Sequence, residues 1–153
     1  MSMEENLLLR EPSSFKGLTT GEQENLRLVI EFLWGRMIGD IDQILSVMSS
    51  NIIFHEQLLP PIKGHDELRI SAQKFQSLIG NLDYKIDQFV ARGNQVAHYG
   101  TISGIFRSEY MGLPATGKSF SVAYAEFVII KNGQIAYVWN LSDEKGLLQQ
   151  AIL

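Results

Sequence analysis

The sequence predicts an α+β fold, in which a long, curved antiparallel or mixed sheet is covered on one face by three helices. Apolar residues recur at helical spacing only in the first half of the chain, and β-rich runs follow one another in the second half. Asn132-Gly133 separates two of these runs, which is a strong hairpin signal. Helices that precede a meander of strands must cover one face of the sheet. A curved sheet covered in this way encloses a cone, whose wide end is the natural place for a pocket.

Three stretches in the first half have the apolar spacing of helices. Thr20 begins a capping-box pattern that Gln23 completes, and Gly39 ends the first of these helices. Asp40 is a suitable N-cap for the second. The predicted helices cover residues 21–38, 41–48 and 65–79.

The strands are marked by β-branched and aromatic runs between turn residues. Gly93-Asn94 and Asn132-Gly133 are predicted hairpin turns, because both residue types tolerate positive φ. A short helix over residues 146–153 can close the fold. The predicted strands cover residues 51–56, 82–91, 95–110, 119–131 and 134–141.

The length of 153 residues predicts one domain with its own core, over residues 19–153. Residues 1–18 read as an extension, because Pro12 and Gly17 interrupt any period. Disorder is the first expectation for this extension. A partial helix, or packing on a partner through the Leu7–Leu9 run, is the alternative.

Composition limits the function classes. The chain has no cysteine, which excludes disulfides and thiolate chemistry and favours a cytoplasmic location. The formal charge of −4, without any basic block, makes nucleic acid and anionic membrane poor partners. No run approaches the length of a membrane span. Three scattered histidines without metal-ligand spacing predict no metal site.

Glu126 stands in the alternating run SFSVAYAEFVIIK. If the even positions of this strand share the covered face, its carboxyl lies among aromatic and branched side chains. Desolvation there would raise its pKa and make Glu126 a candidate general base or acid. The alternative is that Glu126 faces solvent or pairs with an arginine.

The hairpin register decides whether Glu126 can share a site with Asn140. A two-residue loop that pairs Lys131 with Gln134 sets Glu126 opposite Trp139, which sends Asn140 to the other face. A three-residue loop or a bulge sets Glu126 opposite Asn140. The sequence leaves both registers open, and a shared site requires the second.

Other residues could form the rim or walls of a pocket. His55 and Glu56 end a strand beside a Pro-Pro loop, and adjacent strand residues point to opposite faces. His98 lies in another strand. Core packing is the alternative for each aromatic residue taken alone. The aromatic candidates for a pocket that holds a flat apolar ligand are Trp34, Phe54, Phe106, Tyr110, Tyr124 and Trp139.

Three segments resemble the SnoaL-like proteins, a branch of the nuclear-transport-factor-2-like superfamily. GDIDQILSVMSSNIIFHE is similar to the helix–strand entry of that family. GIFRSEYMGLPATGKSF resembles its glycine-rich G-x-P-x-T-G-K segment, and NGQIAYVWNLSDEKGLLQQ resembles its closing segment with Trp-Asp and Gly-Leu-Leu. The resemblance covers about residues 22–153 and implies a cone-shaped, cystatin-like roll.

The resemblance also implies a homodimer, formed through the sheet face, that uses no cofactor. Well-known members close polyketide rings by intramolecular aldol condensation, and other members of the superfamily isomerise, dehydrate or hydrolyse small apolar molecules. In the cyclases an aspartate follows the last tryptophan, and a histidine on the preceding strand lies fourteen residues earlier. Those two positions fall on Asn140 and Glu126 here.

The functional hypothesis depends on the replacement of the family's histidine and aspartate by Glu126 and Asn140. Asn140 cannot exchange a proton as a carboxylate does, but it can hydrogen-bond a developing oxyanion. Phe106 stands where the glycine-rich motif often has histidine. The leading hypothesis is an aldol-type cyclase or isomerase, in which Glu126 abstracts a proton next to a carbonyl and Asn140 binds the enolate. The alternative is a non-catalytic small-molecule-binding or dimeric interaction module.

Overall fold

A computed structural model describes residues 15–57, 59–109 and 116–152. Within these residues the chain forms four helices and six strands. In chain order they are α1 (Thr20–Ile38), α2 (Ile41–Ser46), β1 (Met48–Glu56), β2 (Ile62–Lys63), α3 (Gly64–Leu78), β3 (Ile79–Arg92), β4 (Gln95–Phe106), β5 (Ser119–Lys131), β6 (Gln134–Ser142) and α4 (Glu144–Ile152).

The six strands form one curved, unclosed mixed sheet in the order β2-β1-β6-β5-β4-β3. Strands β1 and β6 are parallel, and every other neighbouring pair is antiparallel. Helices α1, α2 and α3 pack on one face of this sheet, and α4 packs against β5. The predicted α+β class, with three helices covering a curved mixed sheet, is confirmed.

The chain enters α1 one residue earlier than the sequence suggested. Thr19, not Thr20, is the N-cap, and its side chain accepts a hydrogen bond from the backbone N–H of Glu22. Glu22 in turn accepts from the Thr19 backbone N–H, which completes the capping box. Phe15 and Leu18 pack against the core, so part of the predicted extension belongs to the folded unit. Residues 1–14 of the extension lie outside the described residues.

Several other boundaries also differ from the predicted ones. Helix α2 is shorter than predicted, and β1 begins three residues before the predicted residue 51. Strand β4 ends at Phe106, four residues before the predicted residue 110. Strand β2 was not predicted, because two residues are too short to show any period. None of the helices in the described part of the chain combines the length and apolarity needed to cross a membrane.

The β5–β6 hairpin combines a two-residue loop with a bulge. Asn132 and Gly133 have φ of 52° and 71°, as a type I′ turn requires, and Lys131 pairs with Gln134. The register then shifts between Ile129 and Ile130. This bulge sets Glu126 opposite Asn140, which is the register that a shared site requires.

Strand β5 alternates strictly between the two faces of the sheet. Its even-numbered side chains are buried against the helices, while its odd-numbered side chains are exposed or half-buried. Most buried side chains belong to one core between the helices and the sheet. A second, smaller cluster lies where α4 packs on β5, and its members are Ile79, Phe106, Phe120, Val122, Leu147 and Ala151.

Candidate active site

A row of polar side chains crosses four adjacent strands on the covered face of the sheet. Glu56 of β1 pairs with Asn140 of β6, and Asn140 pairs with Glu126 of β5. Glu126 pairs in turn with His98 of β4. Directly paired residues project to the same face of a sheet, so the register alone brings these four side chains together. We call Glu56, Asn140, Glu126 and His98 the inner row.

The Glu126 carboxylate is the centre of this row and is fully buried. Asn140 Nδ2 donates a hydrogen bond of 2.6 Å to its Oε2 atom. Arg36 Nη1 donates a second hydrogen bond of 3.0 Å to the same oxygen. His98 Nε2 lies 3.1 Å from Oε1. Three side chains from three different elements thus converge on one carboxylate.

Arg36 reaches this carboxylate from α1. Its guanidinium lies over the rings of Phe32, Phe54 and Tyr84, at 5.1, 5.9 and 5.3 Å from their centroids. The sequence analysis left open that Glu126 pairs with an arginine but did not identify Arg36, although a signal was present. Arg36 follows Phe32 by one helical turn on the buried stripe of α1, and a single cation on such a stripe indicates a buried ion pair.

The pKa of Glu126 moves in the opposite direction from the one expected. Burial alone would raise the pKa of this carboxyl, but the positive charge of Arg36 and the contacts from His98 and Asn140 outweigh it. The result is a pKa of about 2. The expectation of a raised pKa was wrong because it counted desolvation without the arginine. Glu126 is therefore an ionised, fixed anion at neutral pH.

His98 links this anion to Tyr124. His98 Nδ1 and the Tyr124 hydroxyl oxygen are 3.0 Å apart, and both residues are buried. A neutral ring protonated on Nε2 would accept from Tyr124 and direct its N–H toward Glu126. Burial and the charge of Glu126 raise the pKa of Tyr124, so its phenol stays protonated and available as a donor.

A cavity of about 340 Å³ lies at the open end of the inner row. This volume falls within the usual range for small-molecule sites. The cavity is lined by both polar and apolar side chains. The polar lining residues are Arg36, Glu56, Gln57, Ser71, Lys74, Tyr124, Asn140, Ser142 and Glu144, and the apolar ones are Leu59, Phe75, Leu78, Ile79, Ile102, Phe120, Val122 and Leu147.

A second hollow of about 40 Å³ adjoins the first and is also lined by Arg36, Glu56, Ser71 and Phe75. Its volume suits one or two heavy atoms. Because Arg36 and Glu56 line both spaces, they stand where the two meet. Phe54, a predicted pocket residue, lines the smaller one.

The inner row contributes unequally to the cavity. Asn140 and Glu56 line it, whereas Glu126 and His98 lie behind Arg36, Tyr124 and Asn140 and do not line it. Glu56 is only half-buried, and burial raises the pKa of its carboxyl, although Arg36 opposes this effect. A ligand would therefore meet an amide, a guanidinium and a carboxyl with a raised pKa.

Two predicted pocket residues lie on the opposite face of the sheet. His55 and Trp139 pair between β1 and β6, and their rings stack with centroids 4.3 Å apart and planes 2° apart. Trp139 is 39% exposed. Neither residue lines the cavity, because each neighbours a residue of the inner row and the side chains of a strand alternate.

The remaining aromatic predictions have separate outcomes. Tyr124 lines the large cavity. Trp34 packs against the main core and Phe106 is buried against Phe120, so neither reaches the cavity. Tyr110 lies outside the described residues. Among the described residues, no group of histidine, aspartate and glutamate is arranged to hold a metal ion.

The curved, helix-covered α+β sheet is the fold of the nuclear-transport-factor-2-like class. The sequence profile of the SnoaL-like polyketide cyclases matches residues 26–151, and the chain belongs to this family. No curated protein sequence gives a significant match.

Solved structures support the same fold. TsrD from Streptomyces laurentii superposes with a TM-score of 0.75 at 23% identity, over 88% of this chain and 97% of that one. A candidate SnoaL-like polyketide cyclase from Jannaschia sp. CCS1 gives a TM-score of 0.82 at 14% identity, over 89% and 96%. AclR from Streptomyces galilaeus, a candidate hydroxylase, gives 0.75 at 18% identity, over 85% and 82%. The fold alone therefore does not fix the reaction.

Proposed function

We propose that this protein is a small-molecule enzyme of the SnoaL type, which uses acid/base chemistry next to a carbonyl group of a largely apolar substrate. The observation that carries this proposal is that Arg36 and Asn140, which both bind Glu126, also line the 340 Å³ cavity. Each side chain has further N–H donors, which a substrate carbonyl oxygen in the cavity could accept from. A cyclase or isomerase reaction of this type develops negative charge on that oxygen.

In this proposal Glu126 and Asn140 are the centre of the site, with different tasks. Glu126 supplies a fixed negative charge that holds Arg36 and Asn140 in place. Asn140 uses one of its two amide N–H bonds on Glu126, and the other can bind the enolate oxygen. Arg36 has five N–H donors and can bind the same oxygen while it remains paired with Glu126.

The apolar part of the lining defines the substrate class. The walls formed by Ile102, Phe120, Val122 and Leu147 would exclude water from the reacting carbon, which strengthens the electrostatic interactions around it. A planar aromatic or short polyketide-like carbonyl compound fits both the volume and the polarity of this space. No cofactor takes part in the proposed reaction.

A homodimer is proposed from the opposite face of the sheet. Its exposed side chains include several large apolar ones, and a patch of this kind marks an interaction surface. A second copy would cover it without obstructing the cavity, which opens on the helix-covered face. The patch comprises Ile53, Val90, Tyr99, Phe127, Trp139 and Leu141. The cytoplasmic location stays a prediction.

Solvent-deuterium incorporation tests the proposed chemistry without knowledge of the natural substrate. Single-ring aromatic ketones and β-keto esters would be incubated with the protein in D2O, and exchange at the carbon next to the carbonyl would be followed by NMR. We expect at least one compound to exchange faster with wild-type protein than with Arg36→Met. Compounds that bind in the cavity but never exchange would instead support the non-catalytic binding module.

A further inference from the structure

Two carboxyl groups from distant parts of the chain line the same cavity. Glu56 ends β1 and Glu144 begins α4, and both line the 340 Å³ space. The negative charge of Glu144 is one of the causes that raise the pKa of Glu56. Glu144 Oε1 accepts a 3.3 Å hydrogen bond from the Ser142 hydroxyl, while its buried Oε2 atom has no hydrogen-bond partner among the described residues.

Glu56 and Glu126 differ in burial, in hydrogen bonding and in access to the cavity. Glu126 is fully buried, is hydrogen-bonded by Arg36 and Asn140, and lies behind the residues that line the cavity. Glu56 is half-buried, lines both the large cavity and the small hollow, and pairs with Asn140 in the sheet register. A proton acceptor must reach the substrate, and of these two carboxylates only Glu56 does so.

We propose that Glu56 is the residue that removes and returns the substrate proton, and that Glu144 is a positioning residue that tunes it. This inference rests on the proposed function and names the proton carrier of that same site. The Glu56 carboxylate takes a proton from the carbon next to the carbonyl, so that the C–H bond breaks and an O–H bond forms on Glu56. The C–H electron pair passes into the enolate, whose oxygen is held by Arg36 and Asn140.

The same proton completes the reaction. In an isomerisation, Glu56 returns it to carbon as the enolate collapses. In an aldol closure, the enolate carbon attacks a second carbonyl of the same molecule, and Glu56 gives its proton to the new alkoxide. Both routes leave Glu56 ionised again, so no further reactant is needed.

The charges around Glu56 favour this role. Burial raises the pKa of its carboxyl, Arg36 on α1 lowers it, and Glu126 on β5 and Glu144 on α4 raise it again. Lys74 of α3 and Tyr124 of β5 line the same cavity. The net shift is upward, toward the working pH of a cytoplasmic enzyme, which is where a general base transfers protons most effectively.

The test uses the full-length protein and any ketone for which the wild type accelerates deuterium incorporation. Glu56→Gln should lower the exchange rate about 10²- to 10⁴-fold, the usual contribution of a general base. Glu56→Asp should restore part of the rate and keep a pH-dependent profile. Glu24→Gln, which removes the same charge from an exposed position on α1, is the matched control and should exchange like wild type.

The pH profile separates positioning from structural support. The exchange rate should rise as Glu56 ionises, and Glu144→Gln should move that rise to lower pH because a neighbouring negative charge is lost. A Glu56→Gln variant with wild-type rate and profile would overturn the assignment while leaving the proposed function intact. An unmoved profile in Glu144→Gln would overturn the role of Glu144. If the wild type exchanges no ketone that it binds, both the proposed function and the role of Glu56 fail.

Discussion

The two faces of the same four strands differ in polarity and in burial. On the inner face, Glu56, Asn140, Glu126 and His98 form a continuous polar row beneath the helices. Each residue of the inner row has a strand neighbour that projects to the opposite face. We call these neighbours the outer row, and in the same pairing order they are His55, Trp139, Phe127 and Ala97. The polar residues Glu126 and His98 of the inner row are buried, whereas the apolar residues Phe127 and Trp139 of the outer row are exposed, which reverses the usual distribution in a domain.

Each reversal has a physical reason. A buried polar row is stable only where its charges are paired, and Arg36 supplies the cation for Glu126. An exposed apolar row indicates a surface that another molecule covers. The proposed chemistry belongs to the inner row and the proposed association to the outer row, and each proposal can be tested by substitution.

The largest effect is expected at the centre of the inner row. Glu126→Gln removes the carboxylate and leaves the guanidinium of Arg36, whose side chain is 14% exposed, without its counter-charge. Loss of one partner of a buried pair typically costs about 3–5 kcal/mol of unfolding free energy. Urea denaturation at pH 7 measures this loss, with Glu24→Gln as the surface control. A loss below about 1 kcal/mol would contradict a structural ion pair.

Acid titration should show the same pair in the wild-type protein. The pKa of Glu126 falls from the usual 4.5 to about 2 on folding, so its stabilisation is complete above the unfolded value and is lost as pH falls toward 2. A shift of that size corresponds to about 3 kcal/mol. Unfolding free energies between pH 6 and pH 2 would measure it, and the component should be missing in Glu126→Gln. Equal acid sensitivity of the two proteins would refute the attribution.

Substitutions in the outer row should weaken self-association and leave the folding of the monomer unchanged. Phe127 is 57% exposed, so Phe127→Asp should leave the monomer folded while weakening self-association by about 2 kcal/mol or more. Sedimentation equilibrium measures this change. Ile70→Asp offers a matched control, because Ile70 is 66% exposed but lies on α3. A wild-type protein that stays monomeric at high concentration would remove the dimer proposal.

The smallest expected effect is on the stability of the protein when Glu56 is replaced. The pKa of Glu56 is raised on folding, so its ionised form opposes folding once pH exceeds the folded pKa. Glu56→Gln should therefore be at least as stable as wild type near pH 8, with the difference vanishing at low pH. Thermal unfolding of both proteins at pH 4 and pH 8 checks this. A variant that is less stable at pH 8 would contradict the raised pKa.

The sequence predicted much of this arrangement because its signals are local. Helical spacing and Asn-Gly turns predicted the class of fold, and alternation along β5 made a buried Glu126 one of two alternatives. The register shift between Ile129 and Ile130 was left open, since no residue there distinguishes it from a regular hairpin. The ion pair with Arg36 joins positions ninety residues apart and depends on how α1 crosses the sheet. Glu144 was missed for the same reason, because only the packing of α4 brings it to the cavity.

The departure from the cyclase pattern also becomes intelligible in three dimensions. The resemblance places histidine and aspartate at the positions of Glu126 and Asn140. In this protein the carboxylate is on β5, at Glu126, and not at position 140. A second carboxylate at position 140 would lie within hydrogen-bond distance of Glu126. Like charges that close destabilise one another, so a neutral amide at 140 suits a glutamate at 126.

The different protonation behaviour proposed for Glu56 and Glu126 is tested most directly by carboxyl-carbon NMR. Protein labelled with ¹³C at the glutamate side-chain carboxyl would be titrated from pH 3 to pH 8, and signals assigned through Glu56→Gln and Glu126→Gln. We expect the Glu126 resonance to stay at its ionised position throughout, and the Glu56 resonance to titrate above the usual pKa of a glutamate. A Glu126 resonance that titrates near neutral pH, with Glu56 ionised throughout, would reverse the two assignments and contradict this account.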